Sequence, residues 1–392
     1  MQKKLLAVAL LVAFVLAIVI YKHLKKIVVL QFLLALMVVI MFIPKFYSYT
    51  QQTDDWIKQP DDIENVEFKN LPNIYLIQPD GYANFSELKN EVYRFDNSQF
   101  ESFLNDKGFE FYEGFRSNYS STIYTNSAIF GMKHHFYSFQ ENKNNHDFRK
   151  FIVSENPVLS IFKANSYKTH LLVEEPYFLL NRPKIGYDYT NIALGDIPYF
   201  TNGFDMNMPI ELELESLIKQ NKNSKNFYFL EKILPAHIVV PETSSRGVEG
   251  EREFYLEKLV KANQWLTQVV NTITSNDPNG LIVICADHGG FVGFKSTSNS
   301  NGKTEDRDLL HSVFSSVLAV KWPDNQAPNY DEDLKTSVNL FRVLFSYLSE
   351  DEKYLEYLQS NKSYLRITKD APGGIYEVVD NNGNVVFNKV SN

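Results

Sequence analysis

Three places in this chain put carboxylates or imidazoles just beyond a short apolar run. Asp80 ends Asn73-Ile74-Tyr75-Leu76-Ile77-Gln78-Pro79-Asp80, and Gly81 follows it. Asp287-His288-Gly289-Gly290 follows Leu281-Ile282-Val283-Ile284-Cys285, and Pro235-Ala236-His237 lies beyond the apolar run 227–230. Taken singly, an Asp after a strand is often a helix cap and a Pro-x-His often a turn. Together, at the carboxyl ends of strands where parallel α/β sheets hold ligands, they are a donor set for a divalent cation. Ser120, Ser121, Thr122 and Thr125 add a cluster of hydroxyls. Thr122 and Thr125 lie three apart, so on a helix they share a face. The plainer reading is a Ser/Thr-rich turn that caps a helix running through Ile129.

These residues need a frame. Runs at 74–77, 169–173, 227–230, 281–285 and 317–320 read as strands. A helix closes at Gly108 with Phe100, Phe103 and Leu104 on one face, and further helices cover 254–273 and 338–348. Strands separated by helices predict an α/β fold with a mainly parallel sheet covered by helices on both faces. The acidic stretch 46–70 reads as a tether, 71–348 as the catalytic domain, and 349–392 as a C-terminal extension. In that extension Asn381-Asn382-Gly383 predicts a β-hairpin. The Ser-, Asn- and Gly-rich stretch 295–307 reads as a mobile loop and a candidate lid.

The run from Asn73 to Tyr82, then Ser117-Asn118-Tyr119-Ser120-Ser121-Thr122-Ile123-Tyr124-Thr125, then His237, then Asp287-His288-Gly289 resembles the sulfatase-like branch of the alkaline phosphatase superfamily. The match in order and spacing covers about residues 70–345, and is best to membrane-anchored bacterial members with a Thr nucleophile. Asn263 and Asn339-Leu340-Phe341-Arg342 echo the same group. The resemblance implies an alkaline phosphatase-like sandwich in which Asp80, Asp287, His288 and Thr122 Oγ1 hold one divalent ion (Mn, Mg or Zn). His237 would contact the ester or its leaving group. Thr122 would attack, the metal making its alkoxide accessible, with Thr125 as a supporting hydroxyl or, as the alternative, the nucleophile itself. Thr125, His311 and Arg307 are candidate substrate contacts. His134-His135 looks like a metal pair, but its spacing aims the two rings apart. Formylglycine sulfatases need a Cys or Ser at the nucleophile, and Thr122 departs from that pattern.

The implied activity is an extracytoplasmic phosphoester transferase or hydrolase acting on lipid- or glycan-linked phosphoglycerol or phosphoethanolamine. A simple phosphodiesterase or phosphatase, a sulfuric ester hydrolase, and an inactive membrane-anchored assembly protein are the alternatives.

Charge placement narrows the partners. Residues 1–50 hold six Lys and no acidic residue, so with −8 overall the remainder carries −14. That domain repels nucleic acid. The single Cys285 excludes an internal disulfide and a Cys-based zinc cluster. Aromatics make up 14%, which fits a Tyr-rich core or a surface facing glycan or lipid. Residues 1–45 read as an anchor of two transmembrane helices, 5–20 and 27–43, joined by the basic link 21–26. A cytoplasmic link would put the catalytic domain outside.

Overall fold

The computed structural model describes residues 2–50, 56–135 and 148–390, which form two units, 2–50 and the rest. The first unit is helical: α1 (Gln2–Tyr21) and α2 (Leu24–Thr50). Within α2, the 24-residue stretch Leu24–Tyr47 contains an 18-residue window with a mean hydropathy of 2.9. At 1.5 Å per residue the whole stretch is about 36 Å long, enough to cross a hydrocarbon core of about 30 Å. The apolar part of α1, Leu6–Tyr21, is shorter. One helix therefore meets the length criterion, and a two-helix anchor rests on the shorter one as well. Phe32, Met41 and Phe42 are among the exposed large apolar side chains of α2.

In the second unit the helices are α3 (Phe85–Leu88), α4 (Ser98–Asp106), α5 (Thr122–Gly131), α6 (Phe148–Val153), α7 (Pro157–Ala164), α8 (Ile210–Gln220), α9 (Gly247–Asn276), α10 (Arg307–Phe314) and α11 (Leu340–Ser349). The strands are β1 (Ile74–Pro79), β2 (Glu110–Phe111), β3 (Tyr167–Val173), β4 (Tyr189–Thr190), β5 (Lys225–Lys232), β6 (Leu281–Cys285), β7 (Leu318–Lys321), β8 (Ser363–Ile367), β9 (Gly374–Val379) and β10 (Val385–Lys389). The main sheet runs β2-β7-β6-β1-β5-β3-β4. From β6 to β4 every pairing is parallel, whereas β7 is antiparallel to β6 and to β2. The sheet is thus mixed, with a parallel centre.

Alternation along the central strands feeds two cores. Tyr75, Ile77, Tyr228 and Leu230 face one side, with α9 residues Leu259, Leu266 and Val270. Ile74, Leu76, Phe227 and Phe229 face the other, with Ile129 and Phe130 of α5 and Phe341 and Phe345 of α11. Strands buried on both faces read as continuous apolar runs, which is why they were visible in the sequence.

Of the stretch expected as a tether, 46–50 continue α2, 51–55 lie outside the described residues, and within 56–70 Ile63 and Val66 are buried in the second core. Asp61 there receives two bonds from the fully buried Arg342, at 2.8 and 2.9 Å. The expected hairpin is β9–β10, with β8 completing a three-stranded antiparallel sheet. The 295–307 stretch contains a 3-10 turn at Thr297–Asn301 and ends at the start of α10. Its backbone is tied at both ends, Thr297 N–H to Val239 O (3.0 Å) and Lys303 N–H to Lys369 O (3.2 Å).

Candidate active site

The site forms where β1 and β6, neighbours in register, end together. Asp80 follows β1 and Asp287-His288 follow β6. The β1 turn is sharp because Gly81 has φ +70°, and its N–H donates to Asp287 Oδ1 at 3.1 Å. Tyr255 of α9 buttresses the same turn, its hydroxyl donating to Gly81 O at 2.9 Å and accepting from Ala83 N–H at 3.1 Å. Thr122 is the first residue of α5, where unsatisfied backbone N–H groups and the positive helix end favour an anion.

Four atoms face one another. His288 Nε2 lies 3.3 Å from Asp287 Oδ2, 3.6 Å from Asp80 Oδ1 and 3.4 Å from Thr122 Oγ1. Asp80 Oδ1 and Asp287 Oδ2 are buried and lack any hydrogen bond. Unpaired buried carboxylate oxygens are costly, and a cation between them removes that cost. His288 Nδ1 sits 2.9 Å from Gly289 O; an N–H donated there leaves Nε2 bare toward the carboxylates, as a ligating imidazole requires.

The titration behaviour agrees. Burial, and then repulsion from Asp287, pushes Asp80 up to about 7. Burial works against a charged His288, but Asp287 and Asp80 outweigh it and raise its pKa. Among the described residues, Asp80, Asp287 and His288 are the one group of three His, Cys, Asp or Glu side chains arranged to hold a metal. Two carboxylates, one imidazole and a hydroxyl suit a divalent cation.

Asp80, Thr122 and His237 line one cleft of about 390 Å³. The His237 ring is 5.8 Å from that of His288, and burial followed by repulsion from His288 lowers its pKa to about 4. His237 Nδ1 lies 2.6 Å from Ile238 O, so the neutral ring donates there and keeps Nε2 free as an acceptor.

The other candidates are spent elsewhere. Thr125 is fully buried and donates to Tyr119 O at 2.9 Å, shaping the turn before α5. Arg307 grips both oxygens of Glu87 at 2.7 Å, and His311 contacts Ser315 Oγ at 3.1 Å and Gly383 O at 3.2 Å. None of these three lines the cleft. His134 bonds Ser360 O at 2.8 Å while His135 bonds Tyr124 O at 2.7 Å, so the two do not form a joint site. Asn263 braces Tyr82 and Asn97.

Sequence reasoning missed two cations of the cleft, Arg246 and Lys258. Both sit over the Phe254 ring, at 4.0 and 4.4 Å. Arg246 pairs with buried Glu251 at 3.5 Å, whereas Lys258 makes no ion pair among the described residues. Burial lowers the Lys258 pKa and Asp80 pushes it back up. The Phe254–Lys258 spacing of four was the available signal. Glu231 was also missed. It is fully buried on β5 with both oxygens unpaired, and burial, then Asp80 and Asp287, raise its pKa. A carboxylate directly after the apolar run 227–230 marks it in the sequence.

No protein-family model and no curated protein sequence matches the chain. Solved structures do. The periplasmic domain of EptC from Escherichia coli, in a zinc complex, matches with TM-score 0.54 and 11% identity over 82% of this chain and 96% of that one. The lipooligosaccharide phosphoethanolamine transferase EptA of Neisseria meningitidis, an integral membrane protein, matches with TM-score 0.50 and 13% identity, covering 88% of this chain and 68% of that one. A Bacteroides thetaiotaomicron structure, described with the metabolism of multiple glycosaminoglycans, matches with TM-score 0.50 and 12% identity over 82% and 89%. The chain therefore shares its fold with these solved structures.

Proposed function

We propose that this chain is a membrane-anchored, extracytoplasmic enzyme that transfers or hydrolyses a phosphoester through Thr122, with one divalent metal held by Asp80, Asp287, His288 and Thr122. The group moved is of phosphoglycerol or phosphoethanolamine type, linked to a lipid or glycan. One observation carries the reading: the orphaned oxygens of Asp80 and Asp287, with His288 Nε2, face Thr122 Oγ1 at a helix N-terminus. The fold shared with a phosphoethanolamine transferase supports it, and so does the apolar helix Leu24–Tyr47.

Bound metal would lower the pKa of the Thr122 hydroxyl and offset charge building on the phosphoryl oxygens. The chain's own residues do the rest. Thr122 Oγ1 gives its proton to solvent water and bonds to phosphorus, the bond to the leaving oxygen breaks, and that oxygen takes a proton from water. Lys258 and the first turn of α5 present positive charge to the phosphoryl oxygens. His237, neutral and with Nε2 bare, accepts the proton of the incoming hydroxyl in the second half. That hydroxyl oxygen bonds to phosphorus, and the bond to Thr122 Oγ1 breaks.

The test is acid quenching of the detergent-solubilised full chain during turnover of a phosphodiester, followed by mass spectrometry of the Thr122 peptide. The expected result is a phosphoester adduct on Thr122 that Thr122→Ala lacks, with turnover falling about a thousandfold or more. A Thr122→Ala variant that keeps its rate overturns the proposal.

A further inference from the structure

The loop 191–209, between β4 and α8, carries the two most exposed large apolar side chains of the second unit among the described residues. Tyr199 is 81% exposed and Phe200 90%. Apolar residues exposed singly are ordinary, but an adjacent aromatic pair on a fixed tip marks an interaction surface. The loop is built to hold the pair out. Ile197 before it is buried in the second core, and Arg182 Nη2 donates to Ile197 O at 2.7 Å. Thr201 Oγ1 accepts from Gly203 N–H at 2.8 Å and donates to Asp205 Oδ1 at 2.7 Å, which closes the tip. The returning chain is clamped by the Glu175 carboxylate, which accepts from Met206 N–H at 2.9 Å and from Asn207 N–H at 3.1 Å.

The tip continues the rim of the metal cleft. Phe204 stacks on Tyr177 with ring centroids 4.9 Å apart, and both line the cleft, as does half-exposed Val240. Size, side-chain type and the rest of the chain decide what covers the tip. Two such rings expose about 300–400 Å², whereas a stable protein partner covers about 800 Å² on each side. A second copy or another protein therefore finds too little to hold. Beside the pair stands a cation: the Arg182 guanidinium lies 5.9 Å from the Tyr199 ring and makes no ion pair among the described residues. Aromatic rings with a cation at their base suit the boundary between acyl chains and phosphate head groups. The same chain carries Leu24–Tyr47, long and apolar enough to cross a bilayer. Charge sets the mode of contact. Residues 51–392 sum to −14, and Asp196 and Asp205 lie on the loop itself, so an anionic surface repels the unit as a whole and the contact must be apolar.

We propose that the 198–205 tip docks on a lipid bilayer, inserting Tyr199 and Phe200 at the boundary of head groups and acyl chains and so bringing the mouth of the metal cleft to the membrane surface. The proposal rests on the membrane reading of Leu24–Tyr47 given above and is independent of the Thr122 chemistry.

The experiment uses the full chain reconstituted in phosphatidylcholine vesicles, with or without bromine on the acyl chains, and Phe200→Trp as reporter. The emission of Phe200→Trp, less that of the unmodified chain, should fall by about half in the brominated vesicles, because a ring about 5–10 Å into the boundary meets the bromines. Leu71→Trp is the control. Leu71 is exposed but precedes β1, at the sheet end away from Asp80, and its emission should not change. The quenching should persist at about 1 M salt, where charges are screened beyond about 3 Å. With a phosphodiester lipid in the vesicles, the double variant Tyr199→Ser, Phe200→Ser should turn it over about tenfold more slowly, since the cleft loses its high local concentration of lipid. The same variant should hydrolyse soluble bis(p-nitrophenyl) phosphate at the unmodified rate. An unquenched Phe200→Trp in vesicles that retain the chain overturns the docking alone. If its emission instead shifts with protein concentration, the tip belongs to a second copy and the proposal falls. Equal quenching of both reporters, or quenching lost at high salt, overturns it too. A chain washed from the vesicles by alkaline carbonate refutes the membrane reading and the docking with it. Quenching without any phosphodiester turnover upholds the docking and refutes the Thr122 chemistry instead.

Discussion

Replacing Gly81 with Ala tests whether the β1 turn, and not merely its carboxylate, builds the metal site. Two costs arise. The first is conformational: φ is +70° at Gly81, and a Cβ in the left-handed region costs about 1–2 kcal/mol. The second is steric: that Cβ would lie 2.6 Å from both Ala236 C and Ala236 O, about 0.9 Å inside a normal contact of about 3.5 Å. Both atoms are backbone, so relief requires moving either the Asp80–Gly81 turn or the turn that leads to His237. Either movement disturbs ligands, because Gly81 N–H orients Asp287 Oδ1. Perturbing such supporting bonds lowers metal affinity about 10- to 100-fold, or about 1.4–2.7 kcal/mol of metal-dependent stabilisation. Gly114 supplies the control. Its φ is +75°, yet a Cβ there meets nothing within 4 Å. Gly114→Ala should therefore lose only the conformational part. The assay is calorimetric titration of metal-stripped full chain with Zn²⁺ and with Mn²⁺, beside thermal melts with and without metal. Gly81→Ala should weaken metal binding and shrink the metal-induced rise in Tm, while Gly114→Ala leaves both unchanged. Equal metal affinity in Gly81→Ala and the unmodified chain would refute the reasoning.

Arg342→Leu leaves Asp61 buried without its cation, so it should destabilise the fold by about 3–5 kcal/mol, read by urea denaturation. His134 is held neutral: burial lowers its pKa to about 4, and its ring contacts Ser360 O and the Tyr119 hydroxyl. The unfolded chain binds the extra proton first, so this group's contribution is lost as pH falls from about 6.5 toward 4, and His134→Gln should flatten that part of the stability profile. For topology, protease added to intact spheroplasts should digest the catalytic unit; protection until lysis would place that unit in the cytoplasm.

The central strands were legible because burial on both faces leaves nearly pure apolar runs, as in 281–285, whose predicted and observed bounds coincide. Boundaries were less legible where a helix continues past its apolar stripe. The α9 helix extends to Gly247–Asn276, beyond the apolar face expected at 254–273, because its ends are largely polar, buried Glu251 included, and carry no periodic apolar signal. The antiparallel β7 was equally hidden, since strand direction depends on how the chain returns after β6 and not on side-chain pattern.

By itself the sequence determined which chemistry was available: acidic residues and histidines just after apolar runs, a Thr in a hydroxyl cluster, one cysteine, and an apolar, basic N-terminus. Those are properties of residue type and short-range spacing, set by local physics. Only the tertiary structure decided which groups meet. Asp80 and Asp287 are brought together because β1 and β6 are neighbours in register, a pairing between residues more than two hundred positions apart. The same long-range packing commits Arg307 and His311 to Glu87, draws Lys258 into the cleft on the α9 face shared with Phe254, and seats the C-terminal sheet beside Thr122. No local pattern encodes those meetings, because each depends on how distant segments bury their surfaces against one another.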